Sequence, residues 1–363
     1  MPNNIKNISL HIVNDRLVVG GVATIIRMIR SDSLARGATC TLWVDEIGGR
    51  LEKETRRVAC GLIGWRKLIT LLLAFFPIKL IFSILHDKRQ HRYPVLHLNT
   101  PYLSTAIATL TAAFWTRTPL IYTVHANKSH ISSFYWALEK FIYFRADRVV
   151  LELSASLSDY SDMNARKISF IPFGVRSANT VKKWKARSSG PFIFVAVNRM
   201  DRNRMVDVFI KAFAAQMAGT GSVLHLIGEG ADKKELIALA ERLGCGERVK
   251  FFPAVDEVDI QNVLVNCDCF LTLTAHGEVG MAGKLAAGVG IPCLAYEFDH
   301  KVPTDYSAVS TEQLSVKMAA ISCGNQSDLQ AHAKRTTAAL YSSSEDMVEA
   351  YMETYSVVSK RQM

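Results

Sequence analysis

The segment TAHGEVGMAGKLAAGVGIP, Thr274 to Pro292, sets one carboxylate, Glu278, among glycines. An apolar run, Cys269 to Leu273, leads into it, and a small-residue helical pattern leads out. Strand, glycine-rich turn and helix shape a backbone suited to phosphate, because absent side chains admit an anion and the first helical amides are free to bind it. Gly280 falls just before the predicted helix 281–288, and Glu278 at the same mouth. A carboxylate beside a phosphate is unfavourable unless it accepts hydrogen bonds, for instance from sugar hydroxyls. Upstream, VNRMDRNRMVDVFIKAF places Asn198, Arg199 and Arg204 after another apolar run. Two guanidiniums at a strand end suit a diphosphate, whose oxygens accept forked hydrogen bonds. The competing reading is a solvated loop, which fits Arg202 better. His125 follows LIYTV, where a neutral imidazole could hydrogen-bond a substrate hydroxyl or be purely structural. Gly20 and Gly21 open the first helix, as an anion-binding start or a simple tight turn. They do not form G-x-G-x-x-G, so a nicotinamide cofactor finds little support. LIGEG (226–230) adds a further glycine turn at Gly228.

Positioning these residues requires strands that end where they stand. Strand-like runs at 8–13, 39–44, 94–98, 120–125, 148–153 and 167–173 alternate with helical patterns at 21–35, 65–86, 103–116, 133–145 and 154–160. The polar, basic stretch 177–190 reads as an interdomain linker. Alternation then restarts, with strands at 191–197, 222–228, 249–255, 269–274 and 291–296. Helices are expected between them at 206–218, 231–243, 257–266 and 281–288, and a last one at 344–360. This predicts two parallel α/β sheets in tandem, whose ligands bind beyond the carboxyl ends of the strands.

Composition narrows the function classes. Of 363 residues, 49% are hydrophobic and 21% charged, which leaves no room for extensive disorder. The longest apolar stretch, LITLLLAFFPIKLIFSIL, is broken by Pro77 and Lys79, so a membrane span is not expected. The N-terminus lacks a secretion leader pattern. Seven cysteines, mostly in apolar runs, read as reduced thiols of a cytoplasmic protein. Cys267 and Cys269 lack a second pair at zinc spacing, so no metal is expected. Residues 1–180 carry 23 Lys and Arg against 12 Asp and Glu, so the basic surplus belongs to the N-terminal half. Nucleic acid is the least supported anionic partner, because no zinc-finger, RRM or KH signature accompanies the charge.

Taken in order, Gly-Gly after the first strand, TVH, ADRVVLELS, IPFGV, the Arg-x4-basic pair, LIGEG, RVKFFPAV and GEVG…GIPCLAY form a pattern. It resembles the retaining GT-B glycosyltransferases of family 4, from about Ile8 to the last helix. The resemblance implies two Rossmann-like, doubly wound domains facing a central cleft: an acceptor domain at 1–176 and a donor domain at 191–343. The terminal helix, 344–363, would cross back to the first domain. It also implies transfer of a hexose from a nucleotide-diphosphate sugar with retained configuration, with no metal or cofactor. Gly20 and Gly21 would line the diphosphate, and His125 would contact the transferred sugar. Arg199 and Arg204 would hold the diphosphate and stabilise leaving-group charge. Family members usually have Lys where Arg204 stands. Glu278 would be the first acid of the E-x7-E motif and bind sugar hydroxyls. Val279, Gly280 and Met281 would offer amides, and Val255 would lie near the base.

The second glutamate of that motif, which grips the ribose, has no counterpart. Leu285 or Ala286 takes its place depending on register, and no acid occurs between Glu278 and Glu297. Three explanations stay open: ribose held by backbone or another side chain, a phosphate contact from Lys284 that shifts donor preference, or loss of transfer with binding kept. The first is favoured. A sugar-nucleotide epimerase and a silent binding protein are the alternatives to a transferase.

The acceptor would be a glycan or a lipid-linked sugar in bacterial surface polysaccharide, lipopolysaccharide or glycolipid assembly. Residues 61–92 alternate large apolar residues with Arg66, Lys67 and Lys79, followed by basic residues from Lys88 to Arg92. This reads either as a helix lying on an anionic membrane surface at the inner face, or as an ordinary packed helix pair.

Overall fold

The computed structural model describes residues 5–16, 21–46, 55–57, 77–99, 103–125, 132–153, 156–176, 181–182, 190–216, 221–255, 257–275, 278–297 and 307–360. Two compact units emerge, Met1–Phe173 with Ser344–Met363, and Gly174–Ser343. Gly174 to Arg176, read above as the end of the first domain, belong to the second unit. Val175 N–H donates to the Ser342 carbonyl at 2.9 Å and bridges to Ser343. Most of the expected linker, 177–190, lies outside the described residues.

In the first unit β1 (Ile8–Arg16), β2 (Thr39–Glu46), β3 (Thr55–Arg57), β4 (Tyr93–Leu98), β5 (Leu120–Val124), β6 (Arg148–Leu151) and β7 (Ile168–Phe170) form one sheet. Its order is β3-β2-β1-β4-β5-β6-β7, parallel throughout. The helices are α1 (Gly21–Ala35), α2 (Ile78–Arg89), α3 (Leu103–Thr116), α4 (Ser133–Arg145) and a single-turn α5 (Ser156–Asp159). Every residue of β5 is buried, as expected of a central parallel strand covered on both faces. The chain steps in opposite directions from β1 to β2 and from β4 to β5. Right-handed crossovers therefore put α1 on one face and the adjoining α2, α3 and α4 on the other.

The second sheet has the order β10-β9-β8-β11-β13-β14. Its members are β8 (Ile193–Val197), β9 (Val223–Ile227), β10 (Val249–Phe252), β11 (Cys269–Ala275), β12 (Glu278–Val279), β13 (Cys293–Glu297) and β14 (Ser307–Ala308). All pairings are parallel except that of β12, which folds back antiparallel on β11. Helices α6 (Val206–Gln216), α7 (Lys233–Arg242), α8 (Glu257–Leu264), α9 (Met281–Val289), α10 (Thr311–Cys323) and α11 (Gln326–Leu340) surround it. The last helix, α12 (Ser344–Ser359), packs on α1, β1 and β4 of the first unit. Val348, Tyr351, Met352, Tyr355 and Val358 form its buried face.

Three differences from the sequence reading have local causes. The helix expected over 65–86 runs instead from Ile78 to Arg89 after Pro77; residues 65–76 lie outside the described residues. Proline fixes φ and lacks an N–H, so it suits a helix start and not a helix interior. Helices α10 and α11 were not foreseen, although each has a capping signal. Ser310 Oγ accepts from Gln313 N–H, and Asn325 Oδ1 from Asp328 N–H. The strand read over 148–153 ends at Leu151, and that read over 120–125 ends at Val124, which frees Glu152 and His125 from the ladder.

Candidate active site

The first unit gathers a polar cluster just beyond the carboxyl ends of β4, β5 and β6. These strands deliver Asn99, His125 and Glu152 side by side. His125 Nδ1 lies 2.6 Å from Glu152 Oε2, and its Nε2 lies 3.4 Å from Asn99 Oδ1. Glu152 is buried, so its charge needs partners, and α12 supplies one: Tyr351 O–H donates to Glu152 Oε1 at 3.1 Å. Behind it, Thr123 Oγ1 lies 3.3 Å from the Tyr351 hydroxyl, His97 Nε2 lies 2.7 Å from Thr123 Oγ1, and the Tyr355 hydroxyl lies 2.7 Å from His97 Nδ1.

Valence fixes the direction of this chain. Burial raises the Tyr351 and Tyr355 phenols well above their ordinary range, so both remain protonated donors. Tyr351 spends its proton on Glu152, so Thr123 must donate to Tyr351 and accept from His97 Nε2–H. His97 Nδ1 then accepts from Tyr355. His97 stays neutral: burial first, and the neighbouring His125 second, push its pKa down to about 3. The chain of donors converges on Glu152, which in turn accepts from His125 Nδ1–H. Nε2 of His125 is left as the atom with which the ring can address a ligand. Sequence reasoning identified His125 but missed Glu152, Asn99 and Tyr351. The first two stand directly after strands, where they could have been found. Tyr351 lies over two hundred residues away in sequence from Thr123, and no local pattern marks it.

In the second unit the turn after β8 carries Arg199. Asn198 N–H donates to the Ile227 carbonyl at 3.1 Å, and Met200 N–H to the Glu229 carbonyl at 2.9 Å. The glycines of LIGEG make this approach possible. A Cβ on Gly228, whose φ is +144°, would stand 2.0 Å from the Asn198 carbonyl oxygen, and one on Gly230 would stand 2.3 Å from that of Met200. Gly228 therefore fixes the arginine turn by close packing. The Arg199 side chain is 66% exposed and meets Asp201 at 3.4 Å, a weak surface pair that an anion could displace. Arg204 is also exposed, at the end of a 3-10 turn before α6, as is Arg202.

The opening glycine-rich segment divides into two parts. Glu278 and Val279 form β12, in register with Ala275 and Thr274 of β11, a hairpin that sequence reasoning did not foresee. Gly280 then caps α9 with no side-chain cap, and space is open around it. Gly283 and Lys284 N–H groups return to the Gly280 carbonyl, so Met281 and Ala282 carry the first-turn amides that precede the helical ladder. Val255 is exposed after β10. Gly21 begins α1, and Gly20 lies outside the described residues.

Lys284 differs from the phosphate contact expected of it. It is 5% exposed, and its Nζ donates to Ser342 Oγ at 2.9 Å. The cause is the burial of nearly the whole of α9: Gly283, Leu285, Ala286, Ala287 and Val289 are buried with it. Leu285 and Ala286, the two positions at which a ribose-binding acid could align, both lie in the apolar core. The glycines here serve packing as well as anion approach, since a Cβ on Gly288 would meet the Tyr341 ring at 2.9 Å.

Among the described residues there is no group of His, Cys, Asp or Glu that could hold a metal ion. The described cysteines are free, and all but Cys323 are buried. No helix of the described residues is long and apolar enough to cross a membrane.

Two doubly wound sheets, each with polar residues beyond the strand ends, are the architecture of the GT-B type glycosyltransferases. Residues 19–178 match the model of Glycosyltransferase Family 4, and residues 178–305 match that of Glycosyl transferases group 1. The chain belongs to the family 4-like glycosyltransferases. No curated protein matches it in sequence. Among solved structures it is similar to Anabaena HepE in complex with UDP and glucose, with a TM-score of 0.76 at 17% identity, covering 96% of this chain and 99% of that one. A glycosyltransferase from Rickettsia africae gives 0.73 at 16% identity, over 97% and 98% of the two chains. WaaG, a glycosyltransferase involved in lipopolysaccharide biosynthesis, gives 0.64 at 16% identity, over 94% and 98%.

Proposed function

We propose that the protein transfers a hexose from a nucleotide-diphosphate sugar to a glycan or lipid-linked acceptor, with retention of configuration and without a metal. The observation that carries this reading is the arginine turn after β8. The backbone on either side of Arg199 is held by hydrogen bonds from Asn198 and Met200 and by glycine packing, while its side chain is 66% exposed and meets the surface carboxylate of Asp201 in an ion pair. A fixed, exposed cation of this kind lowers the energy of the charge that develops as the bond from the anomeric carbon to the diphosphate breaks. Arg204 would share that load, and the first amides of α9 would hold donor oxygens. Glu278 would accept from sugar hydroxyls. His125, oriented by Glu152, would meet a hydroxyl of the transferred sugar through Nε2. The ribose would be held by backbone or by another side chain, since Leu285 and Ala286 are buried.

A UDP-sugar is the first donor to test, because the similar HepE holds UDP and glucose. Assembly of a lipopolysaccharide-type or other surface glycan fits the likeness to WaaG. The absence of a ribose carboxylate from α9 supports one second reading, a protein that binds nucleotide sugars without transfer. Thermal shift over a panel of nucleoside diphosphates, then donor turnover with acceptor extracts, tests both. Stabilisation followed by turnover supports the transferase, and stabilisation with no turnover in any extract supports the binding protein. Arg199→Ala should lower turnover by about 100-fold or more, the scale of losing one charge-stabilising donor.

A further inference from the structure

We infer that the outer face of the α2–α3–α4 layer is a docking surface for an anionic lipid bilayer. The inference deepens the reading of a lipid-linked acceptor but stands on different residues from the donor site. On α2, Ile78, Phe82 and Leu85 are exposed at positions i, i+4 and i+7, one stripe along the helix. At the end of α3, Phe114 and Trp115 are 73% and 65% exposed. On α4, Phe134, Phe141 and Phe144 are exposed, while Ile142 and Tyr143 face the core. A hollow of about 530 Å³ joins the end of α3 to α4, lined by Phe114, Trp115, Arg117, Phe141 and Arg145.

A water-facing helix normally shows its charges outward and its aromatic residues inward. Here large apolar residues face outward on three adjoining helices. The charge on those helices selects the occupant. Their acids are Asp87 and Glu139, and both are buried: Asp87 takes hydrogen bonds from Ser9 and His11, and Glu139 from Tyr122 and Tyr160. Asp147, just after α4, accepts from Leu120 N–H. Lys79, Arg89, Arg117 and Arg145 are exposed around the apolar stripe. Arg145 lies 5.4 Å from the Phe141 ring centre, which sets an aromatic and a cation at one depth. Outward aromatic and aliphatic residues, ringed by cations with no exposed acid on the helices, match an interfacial surface that takes acyl chains and anionic headgroups together.

Co-sedimentation of the full chain with vesicles tests this. Binding is expected to phosphatidylcholine vesicles containing phosphatidylglycerol, to weaken in high salt, and to be lost on neutral vesicles. Each basic residue near such a surface contributes about fivefold to partitioning, so Arg117→Glu/Arg145→Glu should bind more than about tenfold more weakly. Phe114→Ser/Phe141→Ser should lose binding to a similar degree with an unchanged far-ultraviolet circular dichroism spectrum. If that pair does not fold, the charge reversal decides. Brominated lipid should quench the native tryptophan emission, and less so in Trp115→Phe. Stabilisation by nucleoside diphosphates should be the same in all variants, so failure of the donor reading and failure of this one are separable. Native protein that ignores anionic vesicles at low salt overturns the proposal. So does a dimer abolished by the phenylalanine substitutions without any vesicle binding, which would assign the face to a second copy of the chain.

Discussion

The imidazole of His125 is oriented by a carboxylate with almost no contact with water. Removing that charge leaves the Tyr351 and His125 donors facing a weaker acceptor, and Glu152→Gln should lower turnover with little change in donor affinity. Tyr351→Phe removes one donor to Glu152 and leaves a buried lone pair unmet, which costs about 1–3 kcal/mol of stability. Its activity should fall less than that of Glu152→Gln, because the His125–Glu152 contact survives. Equal turnover for wild type and Glu152→Gln would remove His125 from the reaction. Lys284 allows a converse test. Lys284→Met keeps the side-chain volume but removes the donor to Ser342, so it should cost about 1–3 kcal/mol, the scale of a buried polar group left unpaired. Lys284→Ala should lose about 2 kcal/mol or more by leaving a cavity. Donor affinity should be unchanged in both. A selective loss of donor binding in Lys284→Met would restore the phosphate contact.

At the scale of elements, β8, β9 and their connecting turns were legible in the sequence because alternating apolar runs and glycines each have one physical reading. What the glycines do was not legible: LIGEG looks like a ligand loop, and it acts by letting one turn touch the next. Gly228→Ala therefore combines a φ of +144° with a Cβ 2.0 Å from a carbonyl oxygen. It should cost more than about 2 kcal/mol and reduce turnover by displacing Arg199, measurable by chemical denaturation and donor turnover. Tolerance of alanine at Gly228 would mean that the arginine turn is not fixed as described. The two-residue β12 and β14 are too short for any periodicity to reveal. Glu152 was absorbed into a strand because Leu151, Glu152 and Leu153 keep the apolar alternation going beyond the last ladder residue.

Across the molecule, the alternation of the main strands and helices up to β13 was readable, whereas β14, α10, α11 and the partners of the last helix were not. Tyr351 and Tyr355 bond residues from strands far upstream, so only the folded chain shows that α12 completes the His125 cluster. This has a consequence for pH. His97 titrates near 6.5 when unfolded and at about 3 when folded, so the unfolded chain binds the extra proton between those values. Its contribution to stability is fully present above pH 6.5 and is lost progressively as pH falls towards 3, by up to a few kcal/mol. Asp87 adds a loss of the same sign at lower pH. Burial would raise its pKa, but hydrogen bonds from His11 and Ser9 hold it below the usual carboxylate range. Denaturant midpoints measured from pH 7 to pH 4 should fall, and should fall less steeply in His97→Gln. Identical slopes would mean that His97 does not carry the acid sensitivity.

Release of nucleoside diphosphate from a UDP-sugar, in the presence of a glycan or lipid-linked acceptor extract, tests the central claim most directly. Sustained release with sugar incorporated into the acceptor, reduced by about 100-fold or more in Arg199→Ala at unchanged fold, is the predicted result. No stabilisation by any nucleoside diphosphate, together with no release from any nucleotide sugar, would contradict it.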